Sequence, residues 1–170
     1  MLTVAITGST KGIGKEIKKY FLNKGYQVLE FNSSNGFNIA DKSSEIIEAS
    51  KNVDIFVNNS YCHRIDNPQL VLLKTLAEIW TGQIKTIINI SSRYVNDDNL
   101  YCKNKKALDQ YCENKIYMKT PFIVNLKPGL VNTERVKDII GPRIETIDVL
   151  NILDFVLNSA VPIHSITFGK

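Results

Sequence analysis

The sequence predicts one doubly wound α/β domain spanning residues 1–170, a mostly parallel sheet of about six or seven strands with helices on both faces. Three observations predict it. Short β-branched apolar runs alternate with longer segments whose apolar residues recur at helical spacing. The first apolar run opens directly into a glycine-rich bend, and an amphipathic segment follows. A chain of 170 residues suits one domain, and it carries no internal repeat, low-complexity tract or linker.

Each element has its own signal. Residues 2–7 read as a buried strand. Residues 12–24 read as a helix with Ile13, Ile17, Tyr20 and Phe21 on one face, closed by Gly25 at the position that favours a left-handed residue. Residues 26–31 are a second strand, and residues 36–39 a very short third. Asp41 is placed to cap a helix carrying Glu45, Ile46 and Ala49, with Glu45 near a capping-box position. Residues 53–57 are again a buried strand. Pro68 suits the first turn of a helix reaching about residue 80. Residues 84–90 are strongly apolar and β-branched, hence strand. Residues 100–117 are helical, with Tyr101, Lys105, Leu108 and Cys112 along one face. Residues 122–126 form a strand that stops at Pro128-Gly129. Residues 146–158 are an amphipathic helix and 163–168 a last strand.

Composition narrows the function classes. Hydrophobic residues are 44% and charged residues 22%, ordinary for a soluble globular chain that builds a core. The net charge of +4 comes from scattered cations, and the densest cluster (Lys103, Lys105, Lys106) shares a helix with Asp109 and Glu113. Nothing in that pattern calls for nucleic acid. Cys62, Cys102 and Cys112 form no CxxC pair, and with His63 and His164 they give no zinc-like spacing. Three unpaired thiols, no apolar run of membrane-spanning length and no leader-like N-terminus are the reading of a cytoplasmic protein without a membrane association.

The chemistry starts at Thr7-Gly8-Ser9-Thr10-Lys11-Gly12-Ile13-Gly14. Glycines allow tight turning and close backbone approach to a pyrophosphate, and the helix that follows offers free N–H groups to phosphate. This T-G-x-x-x-G-x-G run resembles the glycine motif of the short-chain dehydrogenase/reductase family, and the resemblance extends nearly from end to end of a chain much shorter than usual for that family. It implies a Rossmann-like fold and a nicotinamide dinucleotide held by Gly8, Thr10, Lys11, Gly12, Ile13 and Gly14. At the end of the second strand Asn32 and Ser33 stand where an acidic residue would select NAD; Glu30 lies two residues too early. With Lys11 before the second glycine, NADP(H) is favoured over NAD(H). Asn38-Ile39 resembles the pair that contacts adenine. Asn58-Asn59-Ser60-Tyr61 occupies the place of the family's N-N-A-G, and Tyr61 for glycine departs from it: a ring there narrows the cofactor cleft or shifts the loop.

Tyr101 and Lys105 form Y-x-x-x-K, four residues apart and so on one helix face. An ammonium beside a phenol favours the phenolate, which suits Tyr101 as general acid in reduction and base in oxidation. Tyr20-Lys24 and Tyr111-Lys115 repeat the spacing, but only Tyr101 opens the helix after the 84–90 strand. The family resemblance assigns Ser92, second of the pair Ser91-Ser92, as the donor to a carbonyl oxygen, and Lys105 also to the nicotinamide ribose. A fourth member, asparagine, has Asn67 as its nearest candidate, although Asn67 before Pro68 also reads as a helix cap. Pro128-Gly129-Leu130-Val131-Asn132-Thr133 resembles the family's P-G-x-x-x-T, with Pro128, Gly129, Val131 and Thr133 near the nicotinamide.

Together these motifs imply an NAD(P)-dependent oxidoreductase that interconverts a small carbonyl compound and its alcohol. The alternative is a dinucleotide-binding sensor with little or no turnover. The short stretch between Thr133 and Thr146 implies an open site with Tyr61, His63, Tyr94 and Ile139 as candidate walls. A homodimer is slightly favoured over a monomer.

Overall fold

The computed structural model describes residues 1–117 and 119–170. Six parallel strands form one sheet: β1 (Thr3–Thr7), β2 (Gln27–Phe31), β3 (Ile55–Asn58), β4 (Thr86–Ile90), β5 (Phe122–Pro128) and β6 (Ser165–Phe168). Their order is β2-β1-β3-β4-β5-β6. The crossovers are α1 (Gly12–Asn23), α2 (Ser43–Ser50), α3 (Pro68–Ile79), α4 (Leu100–Asn114) and α5 (Thr146–Asn158). The chain leaves β1 outward to β2 and returns to β3 on the other side, so a crevice opens where β1 and β3 end.

Alternation along each strand divides the core into two layers. Val4, Ile6, Val57, Ile88 and Val124 face α1 and α5, where they meet Ile17, Phe21, Leu153 and Val156. Ala5, Phe56, Ile87 and Ile123 face α2, α3 and α4, meeting Ile46, Leu72, Leu76, Trp80 and Leu108. Tyr20 and Lys24 both bind Asp154, at 2.6 Å and 3.0 Å, and so clamp α1 to α5. The first of the rival Tyr-Lys pairs is therefore structural.

Several expected boundaries move. Residues 36–39 are a turn rather than a strand, because the Asn38 carbonyl accepts from Asp41 and Lys42 while its side chain accepts from Ala40. The sheet accordingly has six strands. Lys42 rather than Asp41 precedes α2, and Asp41 pairs instead with Arg64 at 3.2 Å. Strand β4 begins at Thr86, since Ile84 lies fully in solvent. Strands β3 and β6 each start two residues later than the apolar runs suggest. Gly25 closes α1 in the left-handed region (φ 80°), as expected.

Candidate active site

The glycine bend packs against the end of β3. Gly8 and Gly12 take positive φ (71° and 53°), which side-chain-bearing residues rarely adopt. A methyl group on Gly14 would strike the Gly8 carbonyl oxygen and the Asn59 amide. That amide donates to Thr7 O and Gly8 O at 3.1 and 3.0 Å, and the N–H groups of Asn59 and Ser60 both reach Thr7 Oγ1 at 3.0 Å. Gly12 abuts the Thr133 side chain, so the segment after β5 closes over the bend. Lys11 precedes α1 with no side-chain cap, and no acidic residue stands in the first turn. This uncapped helix start, with Thr10 and Lys11 exposed beside it, suits an anion.

The end of β2 is more occupied than expected. Asn32 is buried and accepts from Ser9 N at 2.6 Å, so it props the bend from within. Glu30, two residues earlier and hence on the same strand face, accepts from Ser9 Oγ at 2.6 Å and pairs with Lys18 at 2.7 Å. Burial alone would raise its carboxyl, but hydrogen bonds from Lys18, Ser9 and Asn32 and the Lys18 charge together hold it below its usual range. An ionised carboxylate thus does stand at the bend, neutralised by Lys18. Ser33 is exposed, Asn38 closes its own turn, and Ile39 is buried in the core rather than open to a base.

The second half of the site is built at the carboxyl end of β4. Asn99 caps α4 by accepting from Cys102 N at 2.9 Å, which sets Tyr101 in the first turn and Lys105 one turn on. Lys105 is buried, and its ammonium donates to Ile90 O and to Gln69 Oε1, both at 2.8 Å. It stands 5.7 Å from the Tyr101 ring centre. Burial first, and the Arg135 charge second, push Lys105 down to about 7, with Asp109 opposing only in part. Ser92 is buried just after β4; its Oγ accepts from Tyr94 N at 3.1 Å and donates a longer bond to Tyr94 O at 3.5 Å.

Asn67 takes a left-handed conformation (φ 46°) and caps α3, accepting from Leu70 N. Its amide donates to Asn104 O at 2.9 Å. It therefore staples α3 to α4 and makes no hydrogen bond to Lys105. The side chain that does is Gln69, which belongs to none of the motifs. A signal for it exists: Gln69 continues the buried stripe of Leu72, Leu73, Leu76 and Trp80, and a polar residue on such a stripe needs buried partners.

The large departure is Tyr61. Its ring centre lies 5.5 Å from the Lys105 ammonium and 4.9 Å, edge-on, from the Tyr101 ring. Arg135, from the short 3₁₀ turn Glu134–Val136, stands 5.4 Å from the same ring. His63 meets its phenol at 3.1 Å. The remaining predicted residues divide. Pro128 ends β5, paired with Phe168, and Gly129 N donates to Phe168 O at 2.7 Å just beyond the strand, while Val131 is buried against Ile144 and Val149. Ile13 packs into that same cluster. Asn58 is wholly buried and donates to Gln69 O and Asn89 Oδ1. Among the candidate walls, Tyr94 and Ile139 are exposed on their loops. Among the described residues no cluster of metal-binding type occurs. Nor is any helix there long and apolar enough to cross a membrane.

A nicotinamide dinucleotide is the group this fold implies, and the residues meet it unevenly. The bend, which has no room for a methyl at Gly14 and an uncapped helix start, fits a pyrophosphate. At the other end the Tyr61 ring covers the ammonium, and the fit there requires that ring to swing aside.

Comparison with known proteins establishes the fold. No protein-family model matches the sequence, and no curated protein is significantly similar to it. Solved structures do match. A short-chain dehydrogenase from Burkholderia cenocepacia, in complex with NADP, superposes with a TM-score of 0.79 at 14% identity, covering 99% of this chain and 88% of that one. A 3-ketoacyl-(acyl-carrier-protein) reductase from Brucella melitensis, complexed with NADH, gives 0.77 at 18%, over 99% and 96%. A UDP-N-acetylglucosamine 4-epimerase from Bacillus cereus gives 0.77 at 15%, over 100% and 78%. The chain has the Rossmann-like fold that these structures share, one that carries reductases and an epimerase alike.

Proposed function

We propose that this chain is an NAD(P)-dependent oxidoreductase that interconverts a small carbonyl compound and its alcohol. The observation that carries the reading is Tyr101 and Lys105, one helical turn apart, with the ammonium pinned to the last carbonyl of β4. The glycine bend is the place for the pyrophosphate, and the dinucleotide, when bound, supplies or accepts the hydride. Tyr101 gives its phenolic proton to the carbonyl oxygen in reduction and takes it back in oxidation. Ser92 donates its O–H to the same oxygen, where charge develops. Lys105 lies beside the phenol and holds or releases a proton near neutrality. Thr133, against Gly12, closes the segment after β5 over the phosphates. For the adenosine end NADP(H) is the preferred partner: Lys11 is exposed beside the bend, and the Glu30 charge is already taken by Lys18. We place the protein in the cytoplasm, as a homodimer.

A second reading has a specific observation in its favour. Tyr61, ring over Lys105 and edge against Tyr101, suits a dinucleotide-binding regulator that turns nothing over. One experiment separates the two. A carbonyl panel is assayed with NADPH and NADH on the parent, Tyr101→Phe and Tyr61→Ala. The enzyme reading expects NADPH-dependent turnover, lost by about 10²–10⁴-fold in Tyr101→Phe and raised in Tyr61→Ala. NADPH binding without turnover in the parent and in Tyr61→Ala would establish the regulator instead. Equal rates for parent and Tyr101→Phe would remove the phenol from the chemistry.

A further inference from the structure

Lys105 presents an unusual problem in charge placement. Its ammonium is buried, and among the described residues no carboxylate lies within ion-pair distance of it. An isolated buried cation is costly unless hydrogen bonds and dipoles hold it. Two oxygens do so, Ile90 O and Gln69 Oε1. The charged and titratable groups around it are Tyr61 from the β3–α3 loop, Tyr101 and Asp109 from α4, and Arg135 from the turn after β5.

Gln69 is held in one orientation. Its Nε2 donates to Asn58 O at 2.8 Å and to Ile90 O at 3.0 Å, the last carbonyls of β3 and β4. Turning the amide over would set its oxygen against two carbonyls and its NH₂ against an ammonium, so the hydrogen-bond pattern decides which atom is which. Gln69 therefore ties together the ends of two adjacent strands and aims a neutral acceptor at the lysine.

We propose that Gln69 is the positioning residue for Lys105: it fixes the ammonium at the end of β4 and, as a neutral amide in place of a carboxylate, leaves that ammonium free to give up its proton. A carboxylate there would lock the lysine charged, and an apolar group would leave it with a single acceptor. The inference deepens the oxidoreductase reading, in which Lys105 serves Tyr101, but the link between Gln69 and Lys105 is testable without cofactor or substrate.

The test is a pH titration of the Lys105 side chain by NMR, using ¹³Cε-labelled lysine on the whole protein, with Lys105→Met to assign the signal. Gln69→Glu raises the midpoint, by about one unit or more for an opposite charge at this distance. Gln69→Met lowers it. A merely structural glutamine moves neither, whatever its effect on melting. In the parent protein, which involves no folding risk, the Gln69 side-chain amide signals follow the same midpoint as Lys105. Unmoved midpoints in folded variants, or Gln69 amide signals indifferent to the Lys105 titration, overturn the proposal. If the parent turns over substrate, the low-pH limb of its rate profile shifts with the NMR midpoint in each variant. If it turns over nothing, the oxidoreductase reading fails and the titration still decides the role of Gln69.

Discussion

The two faces of this sheet are built to different plans. On the face covered by α1 and α5 the strands stay apolar to their carboxyl ends, with Ile6, Val57, Ile88, Ile90 and Leu126 all in one packed layer. On the face covered by α2, α3 and α4 the layer Phe56–Ile87–Ile123 is followed, one pleat later, by Asn58–Asn89–Asn125 in register across three strands. Asn58 donates to Asn89, Asn89 to Asn125 at 2.8 Å, and Asn125 to Asp109 at 2.7 Å. Gln69 and Lys105 lie on this same face. The difference teaches that stability and chemistry are divided between opposite sides of the same strands. One face keeps its apolar packing up to the strand ends, beneath α1 and α5. The other gives up its last apolar layer to hold a buried cation and its neutral partners.

That contrast can be broken at several points. The largest stability loss is expected from the apolar face: Phe21→Ala removes a wholly buried ring and costs about 3–5 kcal/mol in chemical denaturation. Dinucleotide affinity of the molecules that stay folded is unchanged. A parallel loss of affinity would show that the two faces are not independent.

The next effect belongs to Lys105 and appears as pH dependence. The unfolded lysine is protonated up to about 10.4, whereas the folded one gives up its proton near 7. Between those limits the unfolded chain binds more protons, so folding is favoured as pH rises. The parent should therefore gain a few kcal/mol relative to Lys105→Met on going from pH 7 to pH 10. Denaturation of both proteins across that range is the measurement, and a constant difference would mean that Lys105 keeps its proton. The comparison must be relative, because burial also raises Cys112, to about 12, and that thiol costs stability above its ordinary range in both proteins alike.

The smallest effect is expected within the amide row. Asn89→Ala leaves Asn58 with only one of its two acceptors, Gln69 O, and takes the donor from Asn125 Oδ1, a loss of about 1–3 kcal/mol. It should also loosen the ends of β3 and β4 as seen by amide hydrogen exchange. Exchange that accelerates in α1 and α5 instead would blur the division between the faces.

Much of this was legible in the residues, and the parts that were not share a cause. The glycine bend, the Tyr101–Lys105 pair and the cap at Asn67 each depend on neighbours within a few residues, and each stands where its local pattern implies. The short third strand failed because Asn38 satisfies its own turn, a local bond that competes with a ladder partner. Glu30 lies two residues before the place expected for an acidic residue, yet residues two apart share a strand face, so it joins Asn32 at Ser9.

Local sequence by itself determined the order of the elements, the turn that needs glycine and the helix face that carries phenol and ammonium, because side-chain periodicity and backbone conformation act over one or two turns. Only the tertiary structure decided that Gln69 rather than Asn67 meets Lys105, that Tyr61 covers them, and that Asn58, Asn89 and Asn125 form one row. Those contacts join segments 31 to 44 residues apart, and their geometry is set by strand register and helix docking, which no short stretch of chain encodes.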